Sequence, residues 1–280
     1  MTIKFHCLDE ENFKFPKQVV RAFQYDEYSI DPHSHDFYEI NIVLDGVGIH
    51  NIGGAEFKVS RGNVFVIPPM AMHAYKNTKH LTVYHILLKK SFLASHITEF
   101  GTVPGFLQLV EVEPFLRQNY SEAMFLRLTE SQLAEIQRDL VYIDDGGEYN
   151  GEAYEPLRDH TALRILLTLS CYLYRQTESG KQSATVKYRN RILDTLEYIH
   201  GHYSDRISID SLAKRVFLSR STFQRSFYAV CGTTPIQYLN QYRINKATEL
   251  LSLGEMNKTD VAHFCGFYDL SHMKKSIKSK

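Results

Sequence analysis

Two groups of residues in this chain combine side-chain types and spacings suited to chemistry. The first is His33-Ser34-His35-Asp36-Phe37-Tyr38-Glu39, with His73 further on. On a strand, residues two apart point the same way. His33, His35 and Glu39 share that parity, so their side chains can converge, and His73 arrives from a neighbouring strand. Three imidazoles and a carboxylate suit Zn, Fe, Ni or Mn. The same set also suits hydrogen bonds to an organic ligand, or among its own members. The second group is Arg220, Ser221, Thr222, Gln224 and Arg225 on one face of a short helical stretch. Arg matches guanine and Gln matches adenine through bidentate hydrogen bonds, which is the chemistry of reading base edges in a major groove.

The elements that must position the first group are short strands broken by turns. Windows at 19–25, 38–44, 47–52, 56–59, 64–67 and 81–88 are rich in β-branched and aromatic residues. Gly53-Gly54 signals a hairpin, and Pro68-Pro69 ends a strand, since proline cannot donate to a ladder. Many short strands with glycine turns imply a small β-barrel or sandwich. Its mouth is the expected effector pocket. The residues that alternate inward or sit near the motif are Arg21, His35, Tyr38, Glu39, His73, Tyr75, Tyr84 and His85.

The second group sits in a helical third of the chain. Ile209, Leu212, Ala213, Val216 and Phe217 keep one helical face, with Ser208 in the N-cap place. Ser219 caps a second short helix with Phe223, Phe227, Val230 and Cys231 inward, and Gly232 supplies the stop. Two short crossed helices with a polar outer face form a helix-turn-helix. The pattern recurs. Asn257 caps a helix holding Val261, Ala262 and Cys265, closed by Gly266-Phe267, and Asp269 caps 270–277. On that last helix Ser271, His272, Lys274 and Lys275 are the exposed candidates for DNA contact. The 19 residues of 235–253 lie between the pairs, a rod of about 28 Å at ~1.5 Å per residue. Neighbouring major grooves are roughly 34 Å apart, so one rod can present two recognition helices to adjacent grooves.

Thr234-Pro235, Tyr238-Leu239, Arg243-Ile244, Ala247 and Leu250-Leu251, followed by Val261-Ala262 and Gly266-Phe267, resemble the AraC/XylS family of bacterial transcription regulators. Glu39, six residues and Gly46, then Gly62, five residues, Pro68, His73 and Asn77, are similar to the two motifs of the cupin barrel. The second motif departs at Met70, where a glycine is usual. The resemblance implies an organic effector in the barrel, a carbohydrate by analogy with sugar-responsive members. It also implies a homodimer and an interaction with RNA polymerase. No cofactor is required on this reading. A divalent metal on His33, His35, Glu39 and His73 is the alternative filling. Lys258 stands where the second pair is usually apolar, and the chain stops at Lys280, sooner after the last recognition helix than family members do. The second motif is therefore expected to fray.

Composition fits two parts. From residue 187 to 280 there are 15 Lys/Arg against 8 Asp/Glu, while the whole chain of 280 residues is neutral. The basic third points to a polyanion partner for that third alone. The four cysteines have no C-x-x-C spacing, so neither a zinc ribbon nor a thioredoxin-type site is indicated. The N-terminus lacks an apolar run, and no stretch is long and apolar enough for a membrane span. A cytoplasmic protein is expected.

The expected fold is thus α+β: a cupin-like β-barrel over 1–92, helices over 93–176 for dimerisation, a linker over 177–186, and an all-α DNA-binding domain over 187–280. The expected function is effector-controlled, sequence-specific DNA binding. The alternatives are a metal-dependent cupin enzyme and a regulator blind to effectors.

Overall fold

The computed structural model describes every residue except 1–4, 8–11, 16, 121–125, 180–187, 255 and 279–280. It has two compact units, Met1–Ser179 and Gly180–Lys280.

In the first unit the strands are β1 (Phe5–Cys7), β2 (Val20–Tyr25), β3 (Ile30–His35), β4 (Tyr38–Ile52), β5 (Ala55–Ser60), β6 (Asn63–Ile67), β7 (His73–Leu88) and β8 (Leu126–Arg127). They make one eight-stranded sheet of order β1-β3-β7-β4-β6-β8, with β2 added to β7 and β5 to β4. All pairings are antiparallel except β1 with β3. The windows 38–44 and 47–52 prove to be one strand. Its pairing with β7 shifts register between Val43 and Ile49. Such bulges bend a long strand, which lets β4 pair with β6 near one end and β5 near the other. Gly46, the cupin-type glycine, sits in this bend at φ +79°, and a Cβ there would collide with the His80 backbone. Met70, in the place usually held by glycine, has φ +66°.

Strand alternation sorts the side chains. Ile40, Ile42 and Leu44 of β4, with Tyr84, Ile86 and Leu88 of β7, join the largest apolar core. The helices α1 (Lys90–Phe100), α2 (Glu113–Tyr120), α3 (Glu130–Leu140) and α4 (Glu155–Ser179) belong to this unit. Phe92 of α1, Leu133, Ile136 and Leu140 of α3, and Ile165, Leu166 and Leu169 of α4 complete that core. The opposite parity, Glu39, Asn41 and Val43 on β4 with Val83, His85 and Leu87 on β7, faces away from it. A π-turn at Gln108–Val112 leads into α2, and a 3-10 turn at Glu152–Tyr154 leads into α4. Thr177 to Ser179, expected in the linker, continue α4 instead. The rest of the expected linker lies outside the described residues. No helix among the described residues is long and apolar enough to cross a membrane.

The second unit is α5 (Arg189–His202), α6 (Ile209–Arg215), α7 (Arg220–Cys231), α8 (Pro235–Leu253), α9 (Lys258–Phe264) and α10 (Leu270–Lys278). The capping residues act as their chemistry requires. Ser208 Oγ accepts from the Ser211 amide and Ser219 Oγ from Thr222. Thr234 and Gln237 form a capping box, and Asn257 accepts from Thr259 and Asp260. Asp269 Oδ1 accepts from the His272 amide at 2.7 Å. Lys258 is the exposed first residue of α9, where an apolar side chain is not needed.

Candidate effector site and nucleic-acid interface

A cavity of about 410 Å³ opens on the sheet face turned away from the main core. Its walls include Phe23, Tyr25, Tyr28 and Phe37, and its polar lining includes Arg21, His33, His35, Glu39 and His85. The aromatic rings are locked in pairs: Phe37 lies flat on His35 at 4.3 Å, Phe23 on His85 at 5.3 Å, and Tyr25 on Tyr28 at 5.7 Å. Stacking fixes each ring, so the wall is preorganised.

Glu39 is the electrostatic centre. Its Oε1 accepts a 2.6 Å hydrogen bond from His85 Nδ1. Its Oε2 lies 3.1 Å from His35 Nε2 and 3.1 Å from His73 Nε2. Burial alone would raise the carboxyl pKa. The surrounding imidazoles of His35, His73 and His85 outweigh burial and hold it well below the usual range. Glu39 is therefore ionised. His33 is driven down to about 4, first by burial and then by the neighbouring His73, and stays a neutral imidazole near pH 7.

The eight expected effector residues divide. Arg21, His35, Glu39 and His85 line the cavity. His73 and Tyr75 lie behind it, buried, with Tyr75 OH accepting from Asn41 Nδ2. Tyr38 and Tyr84 point the other way. Tyr38 packs on the main core, and Tyr84 OH donates to the Leu140 carbonyl and Asp144. The reason is parity: Tyr84 and His85 are neighbours on one strand and cannot share a face. Arg21 is committed to protein partners, Asp145 Oδ2 at 2.8 Å and the Asn12 carbonyl at 2.8 Å. Tyr25 and Tyr28 carried no motif in the sequence, and Phe37, although inside the His33–Glu39 stretch, was not singled out, so all three were missed. His50, fully buried and stacked on Tyr75 at 4.0 Å, likewise gave no signal beyond its strand position.

In the DNA-binding unit, α7 buries Phe223, Phe227 and Cys231 and turns Ser221 and Arg225 fully outward. Thr222 and Gln224 are half-buried. Thr222 receives the Ser219 hydroxyl proton at 2.9 Å, so it belongs to the cap as well as the face. Arg220 reaches Asp210 of α6 at 2.8 Å, an exposed pair that a phosphate can displace at little cost. On α10, Ser271, His272, Lys274 and Lys275 are exposed, and Met273 is buried. His272 Nδ1 accepts from the Tyr268 amide at 3.4 Å, and its ring meets the Phe267 ring edge-on, which ties it to the turn.

The sequence profile of the AraC-like ligand binding domain matches residues 15–139, and that of a helix-turn-helix domain matches residues 212–280. The transcriptional activator RhaS of Escherichia coli O1:K1 is 28% identical over 240 residues, covering 86% of this chain and 80% of that one. RhaS of Escherichia coli O81 is 29% identical over the same length. Among solved structures, the DNA-binding domain of AdpA in complex with a target DNA is 26% identical, covers 32% of this chain and 81% of its own, and has a TM-score of 0.31. ToxT from Vibrio cholerae is 10% identical over 94% of both chains, with a TM-score of 0.37. The relatives are transcription regulators, so the enzyme alternative falls away. An AraC-like ligand-binding domain followed in one chain by a capped, duplicated helix-turn-helix makes this protein a member of the AraC family of DNA-binding transcription regulators.

Proposed function

We propose that this regulator senses a carbohydrate in the sheet-domain cavity and, as a cytoplasmic homodimer, activates transcription through RNA polymerase. The observation that carries the effector reading is the pairing of a rigid aromatic wall with several polar side chains in a cavity of about 410 Å³. Aromatic faces take the C–H side of a sugar ring, and polar groups take its hydroxyls. His85 adds a polar group: its Nδ1 is spent on Glu39, and its Nε2 has no hydrogen-bond partner among the described residues. Likeness to a transcriptional activator, RhaS, supports the activator role. For dimerisation the surface offered is the side of α4 carrying Leu163, Leu167, Cys171 and Tyr174, all half-buried at i, i+4, i+8 and i+11. Repeated operator half-sites favour a two-fold partner.

A thermal-shift screen against pentoses, hexoses and deoxyhexoses tests the effector. The expected result is a concentration-dependent rise in Tm for one stereochemical group, with changed promoter occupancy in a footprint. A flat screen alongside normal promoter binding would instead support a regulator blind to effectors. Light scattering at micromolar concentration tests the dimer.

A further inference from the structure

Each helix-turn-helix turn of the DNA-binding unit puts one aromatic ring into solvent. Among the described residues, the two most exposed large hydrophobic side chains are Phe217, at 88%, and Tyr268, at 81%. Phe217 lies between the end of α6 and Ser219, which caps α7. Tyr268 lies between the end of α9 and Asp269, which caps α10. A single exposed apolar residue is ordinary on a protein surface. Two of them at matching places in a duplicated motif point to a shared cause.

Folding does not supply that cause. Phe217 holds φ +54°, a conformation that suits glycine or asparagine, and its exposed ring adds little packing. In the second turn the left-handed place belongs to Gly266, where a Cβ would lie 2.7 Å from the Ser204 carbonyl oxygen. A ring cannot stand there. The second turn is also one residue longer, 265–268 against 216–218. Phe267 turns inward and is buried, and the extra residue, Tyr268, brings a ring back to the surface. Two different local solutions thus produce one feature.

We propose that Phe217 and Tyr268 are DNA-contact residues, each ring packing on the deoxyribose edge of the backbone that borders the major groove entered by its own recognition helix.

Place and charge favour DNA over a protein partner. The N-terminal end of a recognition helix is the end that reaches the bases, and each ring sits within two residues of the cap at that end. Exposed Lys214, Arg215 and Arg220 flank Phe217 in sequence, and exposed His272 and Lys274 follow Tyr268. The Tyr268 amide donates to His272 Nδ1 at 3.4 Å, which ties the second ring's backbone to its recognition helix. Cations suit the phosphates on either side of a sugar, and an apolar ring suits the sugar's C–H face. Contacts of this kind set register and orientation without reading sequence. An uncharged ring also displaces no counterion, so its loss leaves the salt dependence of binding unchanged. That signature separates the rings from the lysines and from a base-reading arginine.

The test uses the full chain and a duplex that the wild-type protein selects from a random-sequence pool, titrated between about 50 and 200 mM salt. Phe217→Asn, which tolerates the left-handed place, and Tyr268→Ser should each weaken binding about five- to tenfold. The loss should be equal on selected and scrambled duplexes, and the salt slope should stay that of wild type. Tyr268→Phe should bind as wild type does, because the ring and not the hydroxyl makes the contact. Hydroxyl-radical labelling of the wild-type protein, read by mass spectrometry, needs no variant to fold. Saturating duplex should suppress labelling of Phe217 and Tyr268 and leave Tyr142, in the other unit, unchanged. Wild-type affinity in folded Phe217→Asn and Tyr268→Ser, or rings labelled equally with and without bound duplex, overturns the proposal. A loss confined to one base position, or a lowered salt slope, overturns packing on the sugar. Unchanged DNA binding with lost transcription in a reconstituted reaction also overturns it, and gives the rings to polymerase instead.

Discussion

The two helix-turn-helix units close their first helices in the same way and yet place different residues at the critical point. After α6, the Phe217 amide donates to the Lys214 carbonyl and the Leu218 amide to Ala213. After α9, the Gly266 amide donates to His263 and the Phe267 amide to Ala262. Both are Schellman closures, which need a left-handed residue just past the cap. The first turn puts Phe217 there at φ +54°, the second Gly266 at φ +75°. The difference lies in what packs on the turn. Arg243 of α8 donates to the Tyr203 and Asp205 carbonyls, pinning the loop after α5. That loop lies against Gly266, so a Cβ there would be 2.7 Å from the Ser204 carbonyl. Phe217 is 88% exposed. The left-handed conformation alone is a strain that a side chain can bear; a neighbouring backbone is what makes glycine obligatory.

Gly266→Ala should therefore be the most damaging change in either turn. Left-handed strain of about 1–2 kcal/mol adds to an overpacking cost of about 1–3 kcal/mol. Denaturant melts of the DNA-binding unit should show about 3 kcal/mol lost. A loss under about 1 kcal/mol would mean that the 203–205 loop yields easily and that the two turns are alike after all.

The same contrast bears on DNA. Arg225 stands exposed on a helix anchored by Phe223, Phe227 and Cys231, whereas Lys274 and Lys275 ride on α10, anchored by Met273. Arg225→Ala should cost about 1–3 kcal/mol and relax one base position, and Lys274→Ala should weaken all sequences alike and lower the salt slope by about one. Operator-variant titrations at several salt concentrations separate the two behaviours. Uniform loss for Arg225→Ala would remove base readout from it.

His200, on α5, serves the rod between the two units. It is buried, flat against Tyr242 at 3.9 Å, with Nε2 at 2.7 Å from Tyr238 OH. Burial, then nearby Lys246, drives its pKa well below the ordinary value. In the folded state it stays neutral while the unfolded chain takes up a proton below about pH 6.5. Stability from this group is thus full above that pH and lost as pH falls, by up to about 1.4 kcal/mol per unit. The melting temperature of the DNA-binding unit should drop between pH 6.5 and 5.5, and His200→Gln should flatten that slope even though it lowers stability at neutral pH. An unchanged slope would assign the acid sensitivity elsewhere.

What could be read beforehand was local. Ser208, Ser219, Asn257 and Asp269 cap helices by bonding amides two or three residues ahead, so their sequence neighbourhood contains the whole interaction. Strand parity accounts for His33 and His35 sharing a face of β3, but Glu39 stands on β4 beyond the bend at 36–37, so its meeting with them, and which histidine touches which oxygen, came from the sheet and not from parity. β7 was recognised only from Leu81 because its first half carries exposed Lys76, Asn77, Lys79 and His80, with Asn77 and His80 at positive φ. No period of two survives there. Helix α1 was missed although Leu93, Ile97 and Phe100 stand at i, i+4 and i+7 in the sequence. The cavity wall was illegible for a different reason. Phe23 and Tyr25 come from one strand and Tyr28 and Phe37 from two separate turns, and only folding makes them one surface.

The smallest effect is expected at Phe217, and it completes the contrast with Gly266. Phe217→Gly removes about 1–2 kcal/mol of left-handed strain. Glycine also widens the unfolded ensemble, costing roughly 0.5–1 kcal/mol. Little packing is forfeited, because the ring is exposed. A net gain of about 0.5–1 kcal/mol should appear in denaturant melts, opposite in sign to the Gly266→Ala result at the equivalent place. If Phe217→Gly instead destabilises the unit, the ring makes contacts that outweigh its strain, and the first turn is held by packing just as the second is. If stability rises and DNA affinity falls, the strained, exposed ring is retained for binding rather than for folding.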